Sequence, residues 1–580
     1  MFIYQSQHNY DLKPYTGISG RDDEVIAGNN KLAELVQSQI NQGHRIFIYD
    51  LYPGADKERL LVLLRKIPHG LLIDTDTCML SQQELHQKFD KNITDDRVFG
   101  YMTDSRLEEC FDGAEIEKAR AKAAEYENEV VFIAGVGASL IAKGDIHYYF
   151  DITRWEIQLR FRAGMANWMF SNAEAPVLTK YKIGFFLEWR LADTHKEENF
   201  YKVDYWVDAN DREELKTIEK KSFHNAFSRI SMEPFRMEPY FDKSVWGGQW
   251  MKHVFEADGE AENIGWAFDG VPEENSVRFV FGKYSVTFPA MNLVRLHPEE
   301  LLGNRAYERF GAEFPIRFDM LDTFEGGNLS LQVHPTLDYI KTAFGMSYTQ
   351  DESYYILDAA KDSCVYIGLK EGIDKEAMIA GLEAANQGGT LFDVEKYVNK
   401  IPVKKHDHIL IPAGTIHCSG KNTQVLEISA TPYIFTFKLW DWGHMGLDGL
   451  PRPVHIEHGK KNIRWNRDTQ WVKEQLIHRE EVLKADGQCM IERTGLHEYE
   501  FIECLRYTFC GKIEVLLKDS VAVLNLVEGK EAFIKSCDES WEPKKIHYGE
   551  TFIVPASTKK LILEATKGEK VRVVAAAIRE

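Results

Sequence analysis

The segment His406-Asp-His-Ile-Leu-Ile-Pro-Ala-Gly414 returns later in the chain as Gly549-Glu-Thr-Phe-Ile-Val-Pro-Ala-Ser557. Each copy is a polar turn, a short apolar strand and a Pro-Ala turn. Self-similarity of this kind marks two copies of one structural unit. From about residue 225 onward the chain runs in short strands bounded by Gly, Pro and Asn, a texture that predicts an antiparallel barrel or sandwich. A helical insertion from Lys375 to Asn386 interrupts it. Phe223 to Phe235 is the expected boundary with what precedes.

Residues from about 30 to 170 have a different rhythm. Lys31 to Ile40 is periodic, Arg45 to Asp50 is an apolar strand, Asp56 to Leu64 reads as helix, and Gly70 to Asp74 as a second strand. A charged helix from Ile116 to Tyr126 leads into the strand Val130 to Ala134, and Asp151 is placed to cap a helix running to Trp168. Strand–helix alternation predicts a parallel sheet covered by helices. The fold class is therefore an α/β amino-terminal domain with a parallel sheet, followed by an all-β region of two barrels with a helical insertion.

The balance of 70 Lys and Arg against 90 Asp and Glu gives a formal charge of −20. That argues against nucleic acid, because a phosphate backbone is held by a basic surface. No apolar run reaches the roughly 20 residues that cross a bilayer, so no membrane partner is expected. No charged n-region followed by an apolar core marks a secretory signal, and the eight cysteines are scattered without a CxxC pair. These features predict a cytoplasmic protein with reduced thiols.

The chemistry concentrates in the first barrel unit. In Leu329-Ser-Leu-Gln-Val-His-Pro335, Gln332 and His334 stand two apart and share one face of a strand. Glu352 begins the next strand. Ile409-Leu-Ile-Pro-Ala-Gly-Thr-Ile-His417 adds a strand, a tight turn and a returning histidine. Three strands facing one interior bring together two imidazoles, a carboxylate and an amide oxygen. That set suits catalytic Zn²⁺, and Fe, Mn or Co also fit it. In the second unit His417 corresponds to Lys560, so one metal ion per chain is expected.

Lys243-Ser-Val-Trp-Gly-Gly248, Leu329 to Pro335, Asp351-Glu-Ser-Tyr-Tyr-Ile-Leu-Asp358, Ile411-Pro-Ala-Gly-Thr-Ile-His417 and Leu439-Trp-Asp-Trp442 carry a resemblance in both words and order. The chain from about 235 to 580 resembles the type I mannose-6-phosphate isomerases, which are zinc-dependent double-cupin enzymes. The resemblance implies zinc at Gln332, His334, Glu352 and His417, and a sugar phosphate as ligand. It also implies a metal-binding cupin domain over 226–465 and a metal-free one over 466–580. The run Tyr433-Ile-Phe-Thr-Phe-Lys438 departs from the family's polar Ser-Asp-Thr-Thr-Tyr-Arg, so Lys438 stands where the family delivers an arginine. Asp319 replaces a family lysine, with Arg317 two residues earlier on the same face. Arginine's planar fork and lysine's point charge are not equivalent toward oxyanions.

Residues 1–225 resemble nucleoside and nucleotide kinase folds in topology more than in motif. Leu51-Tyr-Pro-Gly-Ala-Asp-Lys57 occupies the place of a phosphate-binding loop but lacks its second glycine and the Lys-Ser/Thr pair. Ala134-Gly-Val-Gly-Ala138 has two of the three glycines of a dinucleotide fingerprint. Arg154, Arg160 and Arg162 read either as a basic lid for an anion or as a solvated helix face. A degenerate kinase-like domain with a regulatory or structural role is expected, and a weakly bound nucleotide or sugar phosphate is its candidate ligand.

The leading functional expectation is zinc-dependent interconversion of mannose 6-phosphate and fructose 6-phosphate. Lys438 would support the ene-diolate, and Arg317 and Arg452 (in Gly449-Leu-Pro-Arg-Pro-Val-His455) would hold the phosphate. A catalytically silent sugar-phosphate sensor is the alternative, and a different metal-dependent cupin enzyme the third.

Overall fold

The computed structural model describes residues 9–579 apart from 389, 431, 432, 434, 447–451 and 496. The Gly449-Leu-Pro451 part of the segment leading to Arg452 lies outside the described residues.

The amino-terminal region is built on a seven-stranded sheet. In spatial order its strands are Val25–Ala27, Lys216–Glu219, Tyr205–Asp208, Ile146–Asp151, Ile46–Leu51, Val131–Gly135 and Leu71–Asp74. The last five run parallel. Helices Asn29–Asn41, Lys57–Leu64 and Gly113–Glu125 lie between strands in sequence, each close to its predicted position. Asp56 caps the second of these through Arg59 N–H. Asp151 does not cap the next helix. It ends the strand Ile146–Asp151, and the helix is Arg154–Arg162 with Thr153 as its cap. The Asp151 carboxylate instead accepts from Lys196 (3.1 Å) and Asn292 (2.7 Å).

Two antiparallel two-sheet barrels follow. In the first, a six-stranded sheet runs His408–Ile411, Asp351–Ala359, Thr423–Ala430, Arg317–Asp322, Trp266–Gly270, Tyr240–Asp242. It faces a five-stranded sheet of Val398–Pro402, Cys364–Leu369, His417–Ser419, Leu331–Val333 and Phe437–Trp440. The second barrel has sheets of six and four strands. The repeat is physical. Strands His408–Ile411 and Thr551–Val554 hold equivalent places, and the turns before them share a positive φ, 74° at His406 and 81° at Gly549. The insertion is the helix Lys375–Asn386.

The regions interlock. Strand Thr16–Ser19 pairs in parallel with Ser276–Phe281, and helix Lys220–Ile230 runs into the expected boundary segment Phe223 to Phe235. One continuous apolar core includes Phe185, Phe186 and Trp189 from the amino-terminal region together with Tyr433, Phe435 and Phe437 from the first barrel. Among the described residues, no helix is long and apolar enough to cross a membrane, and all eight cysteines are free thiols.

Candidate metal centre

Strand Leu331–Val333 sits between His417–Ser419 and Phe437–Trp440, so Gln332 faces His417 on one side and Lys438 on the other. Pro335 cannot donate to a ladder and ends this strand just beyond His334. Glu352 comes from the opposite sheet, between Ile411 and Ser429. The four side chains therefore meet between the two sheets, and all are buried.

His334 Nε2 lies 3.0 Å from Glu352 Oε2, and His417 Nε2 lies 2.6 Å from Glu352 Oε1. The other nitrogen of each ring faces a main-chain carbonyl: His334 Nδ1 donates to Phe435 O (2.8 Å) and His417 Nδ1 to Thr415 O (2.9 Å). A carbonyl only accepts, so both Nδ1 atoms carry hydrogen, and both Nε2 atoms are turned to the carboxylate. Two ring nitrogens and a carboxylate so converged are a donor set that can hold a cation. His334 Nε2 and Glu352 Oε1 accordingly lack any hydrogen-bond partner although fully buried. The Gln332 amide nitrogen sits 3.2 Å from His417 Nε2, and a half-turn of the amide presents its oxygen to the same point. The residues fit a divalent metal. Among the described residues, His334, Glu352 and His417 form the only cluster of this kind. Lys560 opens the strand Lys560–Ala565 of the second barrel and is exposed.

Other side chains complete the interior. Gln350 donates to Glu352 Oε2 (3.1 Å) and accepts from Phe435 N–H (2.9 Å), bridging the two halves of the centre. Sequence reasoning missed it, although it stands two residues before Glu352 just as Gln332 stands two before His334. Arg317 Nε donates to Asp319 Oδ1 at 3.0 Å, and Asp319 pairs across strands with Glu427. Burial pushes the Asp319 carboxyl up to about 6, with Arg317 opposing. Burial, then the charges of Asp319 and Glu352, raises Glu427 well above the carboxylate range. Glu427 was overlooked because it reads as a single charged residue on the strand Thr423–Ala430.

Lys438 is half-buried. Burial, followed by the Arg452 charge, lowers its ammonium to about 7, with Asp441 opposing and Arg97 adding to the depression. Arg452 is engaged with Asp441 at 2.9 Å. Asp441, three residues past Lys438, thus reaches the same charged group.

Arg97 belongs to the amino-terminal region, which reaches into this end of the barrel. Val98 N–H and Phe99 N–H donate to Asp96 Oδ1 (2.6 and 2.8 Å), closing a tight loop. Asp96 faces His458 (3.7 Å) and His455 (3.9 Å). Burial alone raises Asp96, but the His458 ring and the two amides hold it down to about 2. Phe99 inserts among Phe344, Phe435, Phe437 and His455. Met102 N–H donates to Phe344 O at 2.9 Å.

The phosphate-loop position is different. Lys57 is held by Asp74 (2.9 Å) and Asp76. Arg154 and Arg160 form neither a lid nor a solvated face. Arg154 is buried against Asp193 (2.8 Å), and Arg160 pairs with Glu156 and donates to Gly54 O, Ala209 O and Asn210 O. Arg162 pairs with Asp242 (2.5 Å).

Residues 28–232 match the model of a domain of unknown function, DUF8485. The mannose-6-phosphate isomerase of Streptococcus mutans is 29% identical over 227 residues, 39% of this chain and 66% of that protein. Mannose-6-phosphate isomerase ManA of Bacillus subtilis is 22% identical over 306 residues, 53% of this chain and 89% of that protein. Over 39% to 53% of its length this chain is thus similar to these mannose-6-phosphate isomerases. The crystal structure of mannose 6-phosphate isomerase from Bacillus subtilis aligns over 59% of this chain and 99% of its own, with 19% identity and a TM-score of 0.48. The match to the Streptococcus mutans isomerase spans just under two thirds of that protein.

Proposed function

We propose that the first barrel is a zinc-dependent aldose–ketose isomerase site acting on mannose 6-phosphate and fructose 6-phosphate. The observation that carries this reading is the convergence of the His334 and His417 Nε2 atoms on Glu352, each ring fixed by a carbonyl behind it. Gln332, His334, Glu352 and His417 would hold the metal, which supplies Lewis-acid polarisation of a sugar oxygen when bound. Moving a proton between C1 and C2 develops negative charge on oxygen, and a positioned cation lowers that barrier. Lys438, opposite Gln332 on the adjoining strand, is that cation. The buried carboxyl of Asp319, raised to about 6, is suited to exchanging a proton near neutrality, beside Glu427, which is also raised.

One observation favours the sensor reading instead. The two arginines expected to hold phosphate are both closed onto carboxylates, Arg317 on Asp319 and Arg452 on Asp441. A site that binds the sugar through metal and lacks an open oxyanion fork would bind without turning over. A coupled assay on the zinc-loaded chain separates the two: turnover of mannose 6-phosphate supports the isomerase, and binding without turnover supports the sensor.

A further inference from the structure

Among the described residues six arginines are buried: Arg154, Arg160, Arg236, Arg317, Arg467 and Arg506. Five are neutralised by a carboxylate, at distances from 2.7 to 3.0 Å. Arg467, only 6% exposed, has no acid within ion-pair distance among the described residues. Its Nη1 donates to Pro412 O (2.6 Å), Ala413 O (2.8 Å) and Thr415 Oγ1. These dipoles satisfy hydrogen bonds, and the carboxyls that act on the charge, Asp351 and Glu500, do so from beyond ion-pair distance. In a chain of net charge −20, a buried guanidinium without a directly paired carboxylate is costly.

Arg467 lines a half-open cleft of about 670 Å³ between the two barrels. Arg309 and Arg464 line it too, both exposed and neither ion-paired among the described residues. Aromatic rings flank the guanidinium groups. Trp471 and Tyr499 stand 4.9 and 5.9 Å from Arg467, and Phe501 stands 4.8 Å from Arg309. Tyr499 is 59% exposed at this cleft. The wall's own acid, Asp351, is turned to Ala413 N–H (2.7 Å). None of the four metal-centre residues lines the cleft.

We propose that this cleft is a second ligand site, for a phosphorylated small molecule that carries a planar ring. Arg309, Arg464 and Arg467 take the phosphate, because guanidinium forks match phosphate oxygens. Trp471 and Tyr499 stack the ring. A nucleoside monophosphate has this chemistry. The ligand is linked to the metal centre through Arg467, which grips the turn whose Thr415 carbonyl orients His417. Any influence on the metal has to be returned in kind.

Calorimetric titration of the full chain with AMP, adenosine and inorganic phosphate tests this. AMP binds once per chain, and adenosine binds at least about tenfold more weakly. Arg309→Gln and Arg464→Gln, both on exposed side chains, each weaken AMP about tenfold or more, while His417→Ala shifts AMP affinity by less than about tenfold and does not abolish binding. The proposal is overturned if AMP gives no binding heat at millimolar concentration or if adenosine binds as tightly as AMP. It is equally overturned if neither arginine substitution changes the affinity, or if His417→Ala abolishes it.

Discussion

Gln332 and Lys438 are direct cross-strand partners in the first barrel, so an amide that can reach the metal and the site's depressed ammonium project from adjoining backbone positions toward one interior. Lys438→Ala is therefore expected to lower kcat by about a hundredfold or more with metal content unchanged, because the charge acts on the transition state. Lys438→Arg restores most of that loss. The check is steady-state kinetics alongside elemental analysis of the same preparations.

The single cluster among the described residues, at His334, Glu352 and His417, predicts one divalent ion per chain. His417→Ala removes it, and Lys560→Ala does not. Elemental analysis that finds two equivalents, or full occupancy after His417→Ala, contradicts the assignment.

Gly414 has φ +90°, and a Cβ there would meet Arg464 Cγ at 2.7 Å and Asn462 O at 2.9 Å. Gly414→Ala is expected to strain the turn that returns His417, destabilising the barrel by about 1–3 kcal/mol and weakening metal retention. Thermal melts with and without chelator measure both effects.

Phe99 couples the amino-terminal region to the barrel and is 1% exposed. Phe99→Ala should cost about 3–5 kcal/mol, as for a large buried aromatic. The loss would register in denaturant unfolding followed by probes in either region, since the core is continuous across them.

Asp96 is held down to about 2, below its unfolded value of about 3.9. A carboxyl depressed on folding contributes stability that is present above the unfolded value and lost as pH falls through the folded one. The stability difference between wild type and Asp96→Asn should thus persist from neutrality to about pH 4 and shrink toward pH 2. A difference that grows over that window rules the pairing out.

Much of this architecture was legible because it depends on local period. The two-residue spacing of Gln332 and His334 determines which face they share. The repeat located His408–Ile411 and Thr551–Val554 because a polar turn and a Pro-Ala turn bracket each strand. What escaped was set by contacts distant in sequence. Nothing around Asp96 or Phe99 announces His458 or Phe435 as partners. The closing of Arg317 on Asp319 and of Arg452 on Asp441 is a matter of rotamer and burial, which spacing does not encode. The Asp151 misplacement has a local cause. Several capping residue types stand close together there, and Thr153 is the one whose extended backbone (φ −76°, ψ 151°) and side chain meet the Glu156 amide.

The most direct test of the central claim is to follow mannose 6-phosphate by NMR in the presence of the zinc-loaded chain and, side by side, His417→Ala. Appearance of fructose 6-phosphate with the wild type alone is the predicted result. No ketose from the zinc-loaded wild type, or equal conversion by the metal-free variant, would contradict a metal-centred isomerase in the first barrel.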